Sequence, residues 1–550
     1  MQALDDHATY PHQNPVDLSS VDPVPPESIT NGDNIEKSHS KFEKEEVKEL
    51  SSPTSKVRYD IQDERDIEIH PGIEKAQSRR SDEKDPHLVT WEGPDDPQNP
   101  KNWSMKRKWA ATFVVSSFTF ISPMSSSMVA PALVAISRDL NITSEVEEAM
   151  VLSIFVLAYA IGPLFLGPLS EVYGRCWVLQ LSNMFYLAWN LGCGFAQNSG
   201  EMLTFRFLSG LGGSAPFAIG GGVLSDCWSP DQRGKAINIY SLAPLLGPAV
   251  GPIAGGFITE KTTWRWIFWS TTILDAVIQF FGFFFLQETH APTLLQRKAS
   301  KLRKQTGDPK YHTEYDHADH KLTAILGKAL YRPFRLLTTQ PIIQVIALYM
   351  AYLYGLMYLL LSTFPGLWED MYHESVSIGG LNYISLALGF FIGTQITAIN
   401  DRIYRNLKKR NNNIGKPEFR VPLMVVGSVF IPMGLFWYGW SAQHRIHWIM
   451  PNIGVVFFAE GCIICFQCMH TYIVDSYTRY AASGIAAAVV LRSMAGFGFP
   501  LFAPYMYAAM GYGWGNSLLG LVAVVIGIPA PFLFWKYGEW LRSRSRFAAG

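Results

Sequence analysis

Residues 149–175 read AMVLSIFVLAYAIGPLFLGPLSEVYGR. Positions 149–170 contain no Asp, Glu, Lys or Arg, and about 20 such residues in a helix cross a hydrocarbon core of roughly 30 Å. A charge-bearing turn follows at once, with Glu171, Gly174 and Arg175 inside five positions. A long apolar helix closed by a short polar loop predicts a membrane span.

The same alternation continues on both sides. The apolar stretches fall at 109–133, 149–169, 176–196, 202–224, 236–258 and 266–286, then at 341–362, 377–399, 421–440, 448–470, 484–509 and 514–535. These twelve predict an all-α membrane protein. The composition agrees, with 13% aromatic and only 17% charged residues. A formal net charge of zero gives no electrostatic footprint for nucleic acid.

Lys and Arg are retained on the cytosolic side of short loops. Lys101, Lys106, Arg107 and Lys108 precede the first span, Arg233 and Lys235 separate the fourth and fifth, and Arg402, Arg405, Lys408, Lys409 and Arg410 follow the eighth. Arg542, Arg544 and Arg546 end the chain, whereas the loops 197–201 and 366–378 carry no Lys or Arg. Both termini are therefore expected in the cytosol. The first thirty residues contain no apolar signal core, so the first span is expected to direct insertion. Of two sequons, Asn141 is expected outside, as the glycosylation acceptor, and Asn102 inside.

The basic stretch 287–340 divides the spans six and six, as expected of two repeated halves. A shift of 249 residues carries Asp226 onto Asp475 and Gly247 onto Gly496. The expected organisation is a disordered cytosolic tail at 1–90, a six-helix half at 91–286, a cytosolic loop at 287–340, a second half at 341–540 and a basic tail at 541–550. All six cysteines lie in or beside apolar runs, and Cys462, Cys465 and Cys468 lack a second ligand cluster. Neither disulfides nor a metal is expected.

GPLSEVYGR at 167–175, RFLSGLGG at 206–213, GPAVGPIAGG at 247–256, WRWIFW at 264–269 and LRSMAGFGFPLFAPYMY at 491–507 together resemble the twelve-span fungal drug:proton antiporters of the major facilitator superfamily. The resemblance covers about residues 88–540. It implies the major facilitator fold, with twelve helices in two six-helix pseudo-repeats. It also implies efflux of hydrophobic or cationic organic compounds, by alternating access coupled to inward proton flow. The partners implied are a small organic substrate, protons and the lipid bilayer, with no cofactor and a functional monomer.

Residue by residue, the resemblance assigns Glu171, Gly174, Arg175 and Asp226 to a cytosolic gate. Gly247, Pro248, Gly251, Pro252 and Gly255 match the antiporter motif, and Arg206 matches an arginine linked to proton handling. The loop departs from the superfamily pattern at Val172 and Cys176, and the second-half loop DRIYR at 401–405 has Tyr404 where glycine is expected.

Ionisable groups inside a membrane are costly, so each is a functional candidate. Within the spans these are Arg206, Asp275, Glu460, His470 and Arg492. Arg stays protonated, so a carboxylate or a histidine must carry the proton, with Glu460 first and Asp275 next, while Arg206 tunes an acid or positions substrate. Tyr354 and Tyr358, four residues apart on one helix face, line the expected substrate cavity with Arg492.

Other functions share parts of this pattern. A nutrient or polyamine transporter would use the same fold, but 287–300 reads QETHAPTLLQRKAS rather than the PESPR-type element of sugar porters. A non-transporting sensor would use the tail as output. No nucleophile elbow or phosphate-binding glycine loop points to an enzyme. The expected location is the plasma membrane, with the vacuolar membrane as the alternative.

Overall fold

A computed structural model describes residues 85–229, 232–316, 322–477 and 480–545. The expected 1–90 tail lies outside the described residues as far as 84. Among the described residues the regular structure is helical, apart from one isolated bridge between Leu88 and His312.

The membrane helices are α1 Met105–Ser127, α2 Glu145–Tyr173, α3 Arg175–Cys193, α4 Ser199–Gly213 continuing as Ala215–Cys227, α5 Arg233–Lys261 and α6 Arg265–Phe285. In the second half they are α7 Pro341–Gly366, α8 Ile384–Arg410, α9 Pro422–Gln443, α10 Ile449–Ser476, α11 at 481–510 and α12 at 512–527 continuing as Pro529–Ser543. By length and apolarity alone, ten helices among the described residues qualify as spans. α3 falls short because its buried face carries Gln180, Asn183 and Asn190. α11 and α12 run on as one helix except at Gly511, where φ is +70°, and these two corrections bring ten to twelve.

Several breaks carry no apolar-pattern signal. α1 gives way after Ser127 to a 3-10 turn at Ala130–Ala132 and then to a short helix at Leu133–Asp139. A separate turn of helix, Val376–Leu381, precedes α8. The loop between the halves holds two further helices, Ala291–Thr306 and Leu322–Thr339.

The two halves repeat one packing scheme. α1 packs on α5 as α7 packs on α11, α2 on α4 as α8 on α10, and α3 on α4 as α9 on α10. The described residues of the loops after α2, α4, α8 and α10, of the inter-half loop and after α12 share one face, rich in Lys and Arg, here called the basic face.

The halves pack along α2 and α11 and along α5 and α8, and side-chain contacts away from the basic face add to this. Ser126 of α1 meets Tyr358 of α7 at 3.2 Å, and the Ser377 amide donates to Glu260 at 2.9 Å. There α5 and the segment before α8 touch so closely that a Cβ at Gly256 would lie 2.8 Å from the Val376 carbonyl oxygen. One buried apolar core runs through both halves. A second core, with Val115, Phe118, Leu179, Val223 and Trp228, belongs to the basic-face end of the first half alone. The molecule is thus closed at the face opposite the basic one.

Candidate functional site

Three of the four residues assigned to the gate, Gly174, Arg175 and Asp226, sit in one cluster on the basic face. Gly174 separates α2 from α3 with φ of +99°, a conformation open to glycine, and Arg175 opens α3. Arg175 Nε donates to Asp226 Oδ2 at 3.3 Å, and its guanidinium also reaches Ser170 Oγ at 3.1 Å. The pair closes within the first half, between the start of α3 and the end of α4, rather than across to the second half. Glu171 is exposed.

Glu288 is a member of this cluster that the sequence reading passed over. Its Oε1 accepts from the backbone amides of Arg175 at 2.9 Å, Thr289 at 3.1 Å and His290 at 3.0 Å. A Cβ on Gly174 would overlap the Glu288 carboxylate, so glycine is required there twice over. Thr289 Oγ1 also donates to Asp226, at 3.3 Å. Burial, with the Arg175 charge nearby, pushes the His290 imidazole down to about 4. The signal was present in QETH at 287–290, which the sequence reading used only to set aside the sugar-porter element.

The second half carries an equivalent cluster on different residues. Arg420 donates to Asp401 at 2.6 Å and to Asp475 at 2.9 Å. Tyr404, in the expected glycine position, lies beneath the Arg420 guanidinium, 4.1 Å from ring centroid to Cζ. Glu418 pairs with Arg542 at 2.8 Å and accepts from Tyr472 at 3.2 Å.

Arg206 is fully buried in α4, and its hydrogen bonds go to backbone. It donates to the carbonyls of Val151 at 3.1 Å, Ser125 at 3.2 Å, Ser126 at 3.2 Å and Leu152 at 3.4 Å, with the Phe155 ring 4.6 Å away. Among the described residues it forms no ion pair with an acid. The carbonyls of Ser125 and Ser126 belong to the last turn before the break in α1, where helical partners run out. Arg206 thereby ties the broken α1 to α2, beside the Ser126–Tyr358 contact.

The two candidate carboxylates are apart. Asp275 is buried between α3 and α6, accepting from Asn183 at 2.8 Å, and that seam is not the one between the halves. Glu460 is buried mid-way along α10, where α8 glycines pack on its backbone: a Cβ at Gly393 would lie 3.2 Å from Glu460 Cα. Among the described residues its carboxylate makes no hydrogen bond or ion pair.

The substrate-cavity candidates do meet. The Tyr354 and Tyr358 rings lie 5.0 Å apart, and the Arg492 guanidinium lies 5.0 Å over Tyr354. Phe466 of α10 stands edge-on to Tyr354 at 6.2 Å. Gly496 leaves room for the Tyr354 ring, because a Cβ there would come within 2.8 Å of it.

The glycine stripe of α5 faces α1. Cβ atoms at Gly247 and Gly251 would lie 2.9 Å from the Met124 amide nitrogen and 2.6 Å from its carbonyl oxygen, and one at Gly255 would overlap the Met128 carbonyl. Pro248 and Pro252 are buried within the same continuous helix, and the Pro252 carbonyl faces Gly380 ahead of α8. Asn141 is exposed with φ of +53°, whereas the Asn102 side chain donates to the carbonyls of Pro94 and Asp96.

The family described as Major Facilitator Superfamily matches residues 115–500. The chain is 53% identical to the efflux pump vrtL of Penicillium aethiopicum over 88% of its length and 96% of that protein. It is 42% identical to the efflux pump radE of Floropilus chiversii, over 86% of its length and 88% of that protein. Among solved structures, the xylose transporter XylE from E. coli, in a partially occluded inward-open conformation, superposes with a TM-score of 0.57. That match covers 78% of this chain and 98% of XylE at 15% identity, a likeness of fold.

Proposed function

The chain belongs to the major facilitator superfamily, and on that premise we propose that it exports small organic compounds from the cell by proton antiport. It is a multi-pass membrane protein of a family that moves solutes. The reading places the basic face in the cytosol, both termini included, and the protein in the plasma membrane as a monomer.

One observation carries the mechanism. Beyond the packing of α2 on α11, Ser126–Tyr358 and Glu260–Ser377 join the halves on the side opposite the basic face, while the Arg175–Asp226 and Arg420–Asp475 pairs close within their own halves. Side-chain contacts between the halves at one face and ion pairs within each half at the other are what a two-state gate needs. Release of the outer contacts, with re-pairing on the basic face, gives the alternate state. Arg206 holds the α1 break that presents Ser126 to Tyr358. Glu460, without a fixed partner, is the group free to exchange a proton between states.

Efflux is favoured over import by the near full-length similarity to proteins named efflux pumps. Purified protein in lipid vesicles under an imposed pH gradient tests the reading against a varied panel of organic compounds. Proton-driven movement away from the basic-face side supports it. A nutrient importer would run the opposite way, and a sensor would move nothing.

A further inference from the structure

The ionisable groups of the spans are unequally committed. Arg206 is taken up by backbone carbonyls, and Asp275 accepts from Asn183 on Oδ2 while its Oδ1 is enclosed without a partner among the described residues. Arg492 is different: it is half-buried, its Nε is fully enclosed, and among the described residues it has no hydrogen-bond or acidic partner. Its guanidinium lies over the face of Tyr354. A guanidinium held at an aromatic wall presents its remaining N–H groups as a fork for a planar anion.

The surroundings add to this. His470 lies four residues beyond Phe466 on α10, hence on the same helix face, and Arg492 is its charged neighbour. His470 is exposed. Tyr354, Tyr358 and Phe466 supply flat apolar surface. Glu460, the acid in the same helix, has its backbone packed on the glycines of α8.

We propose that Arg492, with His470 and the wall of Tyr354 and Phe466, binds the anionic group of an aromatic cargo, a carboxylate or phenolate. The cargo is an organic acid rather than the hydrophobic or cationic compound that resemblance to drug exporters implies. The proposal takes only the direction of transport from the efflux reading; the site stands on its own geometry.

Two xanthene dyes of opposite charge, fluorescein and rhodamine 6G, test it with a common ring system. Binding is followed by fluorescence polarisation on the full-length protein in detergent, and transport in vesicles. Fluorescein should bind at least about tenfold more tightly than rhodamine 6G, the range expected for a charge-assisted hydrogen bond. Arg492→Gln should remove that preference and Arg492→Lys restore part of it, with monodisperse elution checking the fold of each. Equal affinity for both dyes, preference for rhodamine 6G, failure of both to bind, or an unchanged fluorescein affinity in Arg492→Gln would each overturn the site. Selective fluorescein binding without export would leave the site standing and sink the efflux reading instead.

Discussion

Asp226 and Asp475, 249 positions apart, occupy the same place in the two halves, each ending a helix on the basic face and accepting from the Nε of an arginine at the preceding helix start. The arginines are Arg175 at 3.3 Å and Arg420 at 2.9 Å. The pairs are partly exposed, so each contributes only about 0.2–1 kcal/mol to folding. Asp226→Asn should therefore leave the melting temperature nearly unchanged. Uphill transport should slow by roughly tenfold, the equivalent of about 1.4 kcal/mol on the step that re-forms the basic-face contacts. Normal transport would reduce the residue to a helix-end charge.

Gly174 combines a positive φ with a carboxylate in the space of its missing Cβ. Gly174→Ala should cost about 1–3 kcal/mol and lower the yield of monodisperse protein. Adding Glu288→Ala removes the overlap but not the backbone strain, and should recover only part of the loss. Full recovery would mean that φ is not strained there.

The span pattern was legible because the lipid core demands length and apolarity, and the 249-residue shift exposed the duplicated acid. α3 was legible as an apolar stretch although its polar residues face inward, since Gln180, Asn183 and Asn190 leave enough apolar residues for the lipid side. What the pattern could not tell was partner choice. Arg420 pairs with Asp475 although the loop motif points to Arg405, because a base can reach an acid from either end of the loop. Tyr404 replaces a glycine and serves as a platform for that arginine. The commitment of Arg206 to carbonyls of α1 and α2 was likewise invisible, since backbone acceptors leave no trace in side-chain spacing.

His290 offers a pH test of the basic-face cluster. Its folded value of about 4 lies below the ordinary histidine value near 6.5. The unfolded chain therefore takes up this proton first, so the contribution of neutral His290 is complete above about pH 6.5 and is lost as pH falls toward 4. Thermal melts of purified protein should show stability falling between pH 6.5 and 4, with a shallower slope in His290→Gln. Identical slopes would show that the histidine titrates normally.

Glu460→Gln fixes the side chain in a neutral form. If this acid exchanges the proton, the variant should bind cargo at near wild-type affinity yet lose uphill accumulation by tenfold or more, with downhill exchange retained. Parallel binding and pH-jump measurements separate these. Undiminished uphill pumping would move the proton to another group, with Asp275 next, although its seam between α3 and α6 lies away from the junction of the halves.

Proton antiport itself is tested most directly by following protons while cargo runs downhill. Vesicles oriented with the basic face inward, loaded with a transported compound and a trapped pH dye, are diluted into compound-free buffer at equal pH. Exit of the compound should drive protons inward and acidify the lumen, and Glu460→Gln should abolish the signal. A lumen that stays at constant pH while the compound leaves, or one that turns alkaline, would contradict the account.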